Sequence, residues 1–363
     1  MPTLTTYVLS APPHRLPLAP HFGREGIGYE EADERWPSDS LFAALVAQAA
    51  LLEGVSSSDV PAFARAFHEG EPPLLHSSLF PMVGGLPLLP RPLMMLNIPD
   101  VEYRRAIGKG FKKLRYLSPA LFRAVCAGEP IDGPIIMMQK GAVWITPAEA
   151  RSLTGPWARA AGETEEAFHA RLTSTCIWKR HPVPHVSVDR SSSASAIFEV
   201  GRVVYAEGSG LTLLVQYNDQ TWRERFELLL TLLSESGIGG KRGIGYGAFS
   251  WTRGPDLSFP DHGSRQVLLS RYLPTPAEIH LLRAPGSAYD LVTVGGWFFS
   301  AGSPSGRRSP ITLVTEGSVM ATNGLPLRGR IADVRPPQDG PQHPVYRAGL
   351  ALSVPAAAPE AIQ

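Results

Sequence analysis

The chain has 363 residues, a length that accommodates two domains of ordinary size, and its 44% hydrophobic content is enough for a buried core. Lys and Arg total 34 against 33 Asp and Glu, so the protein is not generally basic and any affinity for nucleic acid must come from a local patch. Two widely separated cysteines exclude a disulfide framework and a cysteine-based metal cluster. The chain has no long apolar run and its first ten residues lack the features of a signal peptide, so we expect a cytoplasmic protein without membrane contact.

The N-terminal segment predicts a strand, a loop and a helix. Residues 3–10 are rich in β-forming side chains and predict the first strand. A loop follows up to residue 37. Asp39 then supplies the acidic first turn of a helix in which apolar residues recur at helical spacing until Gly54 ends it.

Residues 70–184 are interrupted by proline and glycine pairs and predict an irregular insertion. Within it, residues 101–124 concentrate basic side chains against one acid, Glu102, and aromatic side chains lie between them. The basic residues are Arg104, Arg105, Lys109, Lys112, Lys113, Arg115 and Arg123. This mixture is typical of a single-stranded RNA contact, in which phosphates pair with cations and bases stack on rings. The alternative is a solvated basic face.

Regular elements return after the insertion. Residues 196–207 and 211–217 predict a hairpin, residues 222–237 a helix with one apolar face, and residues 246–251 a last strand. With the first strand and helix, this gives the order β-α-β-β-α-β of ferredoxin-like domains, which RNA-recognition domains share. We therefore predict an α+β fold whose first domain, residues 1–253, is ferredoxin-like (RRM-like) and carries the long insertion.

The remaining residues predict a linker, a second domain and a tail. The linker spans residues 254–263, and residues 264–354 contain several strand-like segments and one helical segment near residues 276–282. We expect a second α+β domain, a degenerate ferredoxin-like copy of the first. Residues 355–363 are rich in alanine and proline and predict a flexible tail.

The most distinctive stretch is Ser-Gly-Ile-Gly-Gly-Lys-Arg-Gly-Ile-Gly-Tyr-Gly at residues 236–247. Its six glycines permit positive φ angles, so that backbone N–H groups can converge on an anion beside Lys241 and Arg242. A Walker phosphate loop is excluded because it needs Ser or Thr where Arg242 stands, and because this loop leads from helix to strand. The pattern favours a loop that grips a nucleic-acid backbone over a simple helix-to-strand turn.

Several stretches together resemble the RAMP superfamily of CRISPR effector subunits. They are residues 21–28, 37–45, 188–191 and 237–249, the last of which looks like the superfamily's signature glycine loop. Gly-Gly-Trp at 295–297, Glu-Gly-Ser at 316–318 and His-Pro-Val-Tyr-Arg at 343–347 resemble the C-terminal motifs of one branch, the fourth Csm subunit of type III-A complexes. The equivalent type III-B capping subunit is the close alternative.

This resemblance implies a non-catalytic subunit, without metal or cofactor, that binds the 5′ handle of the guide RNA. It also implies two protein partners, the large cyclase/nuclease subunit and a backbone RAMP subunit. Carried over by position, the handle contacts are Gly239, Gly240, Lys241, Arg242, Gly243 and Gly245 in the loop, His21 and Arg24 after the first strand, and Arg190 and Ser192 before the second core strand. The inserted basic run contributes Lys109, Lys112, Lys113 and Arg115 as a thumb-like contact.

An enzymatic alternative is a metal-independent RAMP ribonuclease that processes guide-RNA precursors. His14 and His21, with Tyr29 nearby, are the candidates for its acid–base chemistry. Asp33 and Asp39 are the nearest candidates for a metal-dependent RNA cut, although Asp39 is explained by the helix start. We predict the non-catalytic subunit, because no motif beyond the glycine loop marks a processing enzyme.

A histidine-based metal site is also not expected. His181 and His185 are four residues apart, but the prolines at positions 182 and 184 prevent the helix that would place both on one face.

Overall fold

A computed structural model describes residues 3–14, 17–23, 31–55, 59–68, 71–191, 193–298, 306–337 and 341–358. Of the predicted site residues, Arg24, Tyr29 and Ser192 lie outside this part of the chain, as does the side chain of Lys109. No helix within the described ranges combines the length and apolar character needed to cross a membrane.

The fold mixes helices and strands, as predicted. The helices are α1 Ser38–Glu53, α2 Ala62–His68, α3 Val101–Ala106, α4 Gly108–Phe111, α5 Pro119–Ala127, α6 Pro147–Arg151, α7 Glu165–Ser174 and α8 Trp222–Ser236. Short 3-10 turns lie at Gly155–Trp157, Arg242–Ile244 and Ile279–Arg283, and Gln139–Gly141 forms a turn in which Lys140 is not helical. The predicted first helix is confirmed: Asp39 lies in the first turn of α1, and Gly54, with φ of 60°, caps its end in the left-handed conformation.

The strands fall into an N-terminal and a C-terminal set. The first contains β1 Thr3–Ser10, β2 Leu74–His76, β3 Phe80–Val83, β4 Leu86–Pro87, β5 Leu89–Pro90, β6 Tyr116–Leu117, β7 Ile136–Met138, β8 Val143–Ile145, β9 Trp178–Val188, β10 Ser195–Tyr205, β11 Ser209–Tyr217 and β12 Ser250–Arg253. The second contains β13 Leu257–Ser258, β14 Arg265–Leu268, β15 Leu291–Val294, β16 Trp297–Phe298, β17 Gly306–Arg307, β18 Ile311–Val314, β19 Val319–Ala321, β20 Gly329–Asp333, β21 Tyr346–Leu350 and β22 Ser353–Ala356.

The main sheet is antiparallel along the order β12-β1-β11-β3-β4, with β2 also paired to β11. Tyr7 of β1 and Leu213 of β11 are buried in one core with Phe42 of α1 and Phe226 of α8. Because β12 pairs with the end of β1, the loop that joins α8 to β12 lies beside the chain segment that leaves β1.

The predicted second core strand is wrong. Residues 196–207 were assigned to the sheet beside β11, but β10 pairs along its whole length with β9 in a separate two-stranded hairpin. The place beside β11 is taken by β2 and β3, which lie within the segment predicted to be irregular. Pro182 and Pro184 lie in the part of β9 that was predicted to be irregular. A two-stranded ribbon accepts them because a residue whose N–H would face the free outer edge does not need to donate.

The predicted insertion is therefore ordered. Between β4 and β11 it forms its own sheet, in the order β5-β6-β8-β7, together with helices α5 and α7. Phe122 of α5 and Phe168 of α7 are buried in the main core. Its proline and glycine pairs mark turns between short elements rather than irregular chain.

The C-terminal residues are rich in strands, as predicted, and the helical segment near residues 276–282 is a 3-10 turn. A sheet of order β19-β14-β22 contributes Val267 and Val354 to the main core, and Phe259 packs edge-on against Phe122 of α5. Strand β22 reaches Ala356, so the first residues assigned to the flexible tail are part of a sheet. The division into domains at residues 253 and 264 stays a prediction.

Candidate nucleic-acid interface

The glycine loop, residues 237–249, runs from α8 to β12. Positive φ angles occur at Gly237 (76°), Gly239 (81°), Gly245 (88°) and Gly247 (75°), and Lys241 is left-handed as well, with φ of 59°. The backbone N–H of Ile238 donates to the carbonyl of Gly247 at 2.9 Å, and a Cβ on Gly247 would overlap the Ile238 carbonyl. This closure keeps residues 246–249 in the loop, although the sequence assigned them to the last strand.

The glycine loop is joined to the segment after β1. Gly240 donates its N–H to the carbonyl of His21 at 2.8 Å, and the two residues form an isolated antiparallel bridge. A Cβ on Gly239 or on Gly240 would press on His21, so both positions need glycine for the close approach. The structure thus brings together His21 and the glycine loop, which the sequence analysis assigned to one interface.

The His21 side chain is almost fully buried and ties this segment to the hairpin. Its Nδ1–H donates to the carbonyl of Gly201 in β10 at 2.5 Å. The backbone continues the link, because Val203 donates its N–H to the carbonyl of Pro20 at 3.0 Å. By contrast, His14 is exposed and does not line the groove described below.

One face of the β9–β10 hairpin packs against the glycine loop through rings and cations. The Nζ of Lys241 lies 5.6 Å from the centre of the Phe198 ring. His185 stacks on Phe198, with 5.7 Å between ring centres and 27° between their planes, and lies 6.5 Å from Tyr246. The guanidinium of Arg202 lies 5.5 Å from the Tyr246 ring. Hairpin and loop therefore form one continuous wall.

A groove of about 630 Å³ opens between the glycine loop, the start of α1 and strand β15. Among the described residues, its charged lining consists of Arg35, Arg242, Arg271, Arg308, Arg347, Asp33 and Asp39. Apolar lining comes from Ala43, Ala44 and Ala47 of α1 and from Val292 and Val294 of β15. Guanidinium groups outnumber carboxylates in this lining, an arrangement that favours anions, and they lie beside apolar walls.

Asp39 holds two of these arginines. Its carboxylate, which is fully buried, accepts from Nη1 of Arg271 at 3.0 Å and from Nη1 of Arg347. Arg347 also donates to the Ser40 hydroxyl at 3.0 Å and to the Gly295 carbonyl at 3.2 Å. Asp39 is therefore the first-turn acid that the sequence predicted, and it also anchors the C-terminal strands to α1.

Glu316 forms a second buried centre of charge. It lies 3.3 Å from Nη1 of Arg35 and 3.9 Å from Nε of Arg271, and it accepts a hydrogen bond from Ser78. The Glu316 carboxylate raises the pKa of the Arg35 guanidinium above its usual value, although burial opposes this shift. Asp39 and Glu316 together offset two of the three arginines that they hold, so the groove keeps a net positive charge.

Asp33 and Glu34 form an acidic pair at the groove margin. Arg115 lies 2.7 Å from Oε1 of Glu34 and 3.5 Å from Oδ1 of Asp33, and the Tyr116 hydroxyl donates to Glu34 at 2.7 Å. Burial and the neighbouring Asp33 raise the pKa of Glu34. Burial acts to raise the pKa of Asp33 as well, but nearby guanidinium groups, with Arg35 first, lower it overall. Arg115 is thus an ion-paired residue that remains partly exposed at this margin.

The remaining predicted contacts lie outside the groove lining. Lys112 and Lys113 are exposed just after α4, and Arg190 is exposed in the turn at the tip of the hairpin. Gly243 lies within the 3-10 turn of the glycine loop and is also exposed. No group of His, Cys, Asp or Glu side chains that could hold a metal ion occurs within the described ranges.

Sequence reasoning missed four groove arginines, Arg35, Arg271, Arg308 and Arg347. Only Arg347 had a usable signal, since it closes the segment 343–347 that carried the family resemblance. Arg35 and Arg271 are single arginines and Arg308 follows Arg307, and only the packing of the C-terminal strands against α1 brings the three together.

Comparisons with known proteins agree on one family. The model of the CRISPR Csm4 C-terminal domain matches residues 261–356. The CRISPR system Cms protein Csm4 of Thermococcus onnurineus is 25% identical over 335 residues, which cover 90% of this chain and 93% of the relative. Its namesake from Methanocaldococcus jannaschii is 23% identical over 197 residues, covering 49% of this chain and 50% of the relative.

Solved structures share the fold over nearly the whole chain. A chain in the crystal structure of the Csm3–Csm4 subcomplex of a type III-A CRISPR-Cas interference complex matches with a TM-score of 0.59 and 16% identity, covering 97% of this chain and 99% of its own. A chain of a Csm1–Csm4 cassette in complex with cA4 matches with a TM-score of 0.57 and 18% identity, covering 99% and 100%. Residues 261–356 thus match the CRISPR Csm4 C-terminal domain, and the whole chain is similar to a Csm4 protein and shares the fold of Csm4-containing structures.

Proposed function

We propose that this protein is a non-catalytic subunit that binds the 5′ handle of the guide RNA in a type III-A complex. The observation that carries the proposal is the arginine-rich groove beside the glycine loop. RNA supplies the anion that such a groove favours, and the guanidinium groups match the geometry of phosphate oxygens.

The groove offers different surfaces to the two parts of a nucleotide. Arg242 is exposed on the glycine loop and forms no ion pair within the described ranges, which leaves its guanidinium available to a phosphate. The alanine face of α1 and the valines of β15 provide apolar walls against which a base can lie. An extended single strand satisfies both, whereas a duplex buries its bases. We therefore expect handle bases to be read individually.

The main sheet supports a ferredoxin-like RAMP core. In chain order its principal elements are β1, α1, the β2/β3 segment, β11, α8 and β12, which is the order β-α-β-β-α-β. The sheet places the last strand beside the first and the third beside the first. On this assignment the long insertion lies between the second and third core strands.

The named relatives indicate the protein partners. Solved complexes pair Csm4 with Csm3 and with Csm1. By analogy, this chain joins a backbone RAMP subunit to the large cyclase/nuclease subunit and works in the cytoplasm.

A guide-processing ribonuclease is the competing activity. Its best candidate, His21, is buried and already donates from Nδ1 to the Gly201 carbonyl, so it serves as a link between loop and hairpin. This arrangement supports a structural role for His21 and hence the non-catalytic proposal.

A single gel series tests binding and cleavage together. The purified chain, alone and co-expressed with its two partner subunits, is mixed with guide RNA that carries or lacks the handle, with and without Mg²⁺. We expect handle-dependent binding with intact RNA. Cleavage at a fixed position that is lost in His21→Ala or His14→Ala would establish the ribonuclease instead. Equal affinity for both RNAs, alone and in the complex, would contradict handle binding.

A further inference from the structure

The hairpin turn between β7 and β8 has an unusual residue at its centre. Ala142 donates its N–H to the carbonyl of Gln139 at 3.2 Å, which makes Lys140 and Gly141 the central residues of the turn. Their φ angles are 57° and 92°, both in the left-handed range that defines a type I′ turn. Asn, Asp or Gly usually occupies the first central position, because larger side chains are strained there. The turn geometry therefore does not explain why a lysine occupies position 140.

The neighbours of Lys140 do have structural reasons for their identity. Gln139 is also left-handed, but its side-chain amide donates to the Trp178 carbonyl at 2.8 Å and accepts from the N–H of Ile177 at 2.7 Å. It thereby fixes the start of β9. The Gly141 carbonyl accepts from the buried indole of Trp144 at 3.2 Å. Lys140, by contrast, is exposed and makes no hydrogen bond or ion pair with the described residues.

The turn lies within a strip of cations that begins at the groove margin. The Ala142 carbonyl accepts from the backbone N–H groups of Arg115 and Tyr116 at 2.9 and 3.0 Å. Lys113 packs over the turn, with its Cδ 3.8 Å from the position of a Cβ on Gly141. Since Arg115 lies 3.5 Å from Asp33, which lines the groove, the cations Arg115, Lys113 and Lys140 connect the groove margin with the turn.

We propose that this turn is a further RNA-binding element, which holds Lys140 out towards the phosphate backbone of the guide RNA where the strand leaves the groove. The inference rests on the proposed function, because it assumes that the groove holds the handle. A lysine ammonium is a point charge on a flexible stem, so it suits a phosphate contact that fixes the path of the strand without reading its sequence. Strained residues concentrate at ligand-binding positions, which agrees with a lysine kept where asparagine would be relaxed.

Two substitutions separate the charge from the backbone strain. Lys140→Asn removes the charge and supplies a residue that the turn prefers, so its thermal midpoint should equal or exceed that of the wild type. Lys140→Arg keeps the charge and the strain. Binding is measured by fluorescence anisotropy across a salt series with two RNAs, the handle alone and the handle extended by guide sequence.

For the extended RNA, Lys140→Asn should weaken binding and lower the slope of log K against log salt by roughly 0.7, the loss of one phosphate contact. Lys140→Arg should bind as the wild type does, and the handle alone should not distinguish the three proteins. Unchanged affinity and slope for Lys140→Asn on the extended RNA would overturn the proposal. So would unchanged RNA binding with impaired capture of a partner subunit, which would make the strip a protein contact.

A third variant, Arg242→Ala, separates this inference from the proposed function. If Arg242→Ala weakens binding of both RNAs and Lys140→Asn weakens neither, only the turn is wrongly assigned. If Arg242→Ala also leaves both RNAs unaffected, the groove assignment fails as well.

Discussion

The carboxylate of Asp39, in the first turn of α1, binds the guanidinium of Arg347, which lies 308 residues later in the chain. Both side chains are buried. Arg271, which follows β14 in the chain, forms an ion pair with the same carboxylate. The groove beside α1 thus depends for its shape on the buried cluster of Asp39, Arg271 and Arg347.

Replacing Asp39 with Asn should destabilise the protein strongly, because Arg271 and Arg347 would lose the charge that compensates their burial. Removing one partner of a buried ion pair typically costs about 3–5 kcal/mol. The free energy of unfolding from urea titration measures the loss. The matched control is Glu165→Gln, which breaks an exposed pair with Arg151 of 2.8 Å and should cost under about 1 kcal/mol. If the two variants lose the same free energy of unfolding, the buried Asp39 cluster stabilises the protein no more than the exposed pair does.

Gly243 and Gly245 allow a test of backbone strain within the glycine loop. A Cβ on either residue meets no atom within 4 Å, but only Gly245 has a positive φ, of 88°. Gly245→Ala should therefore cost about 1–2 kcal/mol in unfolding free energy. Gly243→Ala should be neutral or slightly stabilising, because alanine restricts the unfolded chain. If both variants lose the same stability, the left-handed conformation of Gly245 is not what the loop requires.

Local signals in the sequence predicted the elements that depend on local chemistry. Asp39 and Gly54 marked the two ends of α1, and the glycines around Lys241 marked a loop with positive φ angles. The link between His21 and the glycine loop also followed, because in the predicted fold the segment after the first strand faces that loop. Each of these features is set by a few neighbouring residues or by the order of the core elements.

Features that depend on pairing between distant strands were not predictable. Residues 196–207 had a strand pattern, but nothing in it distinguished the neighbour in the main sheet from β9. Pro182 and Pro184 lie in the part of β9 that was predicted to be irregular, because sequence alone does not reveal that an outer edge is free. Arg271 and Arg308 became groove residues only through the packing of the C-terminal strands. The sequence around these two arginines carries no local signal for such a position.

His76 predicts a specific loss of stability in acid. Burial lowers the pKa of its imidazole to about 4, whereas the unfolded chain titrates near 6.5. Between these values the unfolded state binds a proton that the folded state does not. The stability from the neutral ring is therefore complete above pH 6.5 and is lost as the pH falls to 4. The pKa difference corresponds to a loss of about 3 kcal/mol in the free energy of unfolding.

The measurement is the free energy of unfolding at several pH values, for the wild type and for His76→Phe. The aromatic replacement preserves a ring next to Phe42, with which His76 stacks at 6.4 Å between ring centres. The difference between the two proteins isolates this group from the carboxylates that titrate in the same range. Parallel curves between pH 6.5 and 4 would show that the buried imidazole does not carry the predicted loss.

Arg242 should contribute a phosphate contact to guide-RNA binding, because it is exposed on the glycine loop and lines the groove. Arg242→Ala should weaken binding and reduce the slope of log K against log salt by roughly 0.7.

Lys241→Ala should show a similar change in slope only if its ammonium leaves the Phe198 ring, which lies 5.6 Å away, to reach a phosphate. Comparing the two variants over the same salt series therefore tells whether the ring contact competes with RNA. Arg151→Ala, on the exposed Arg151–Glu165 pair, is the control for the loss of an arginine outside the interface. If Arg242→Ala changes the slope no more than Arg151→Ala does, the glycine loop is not part of the RNA contact.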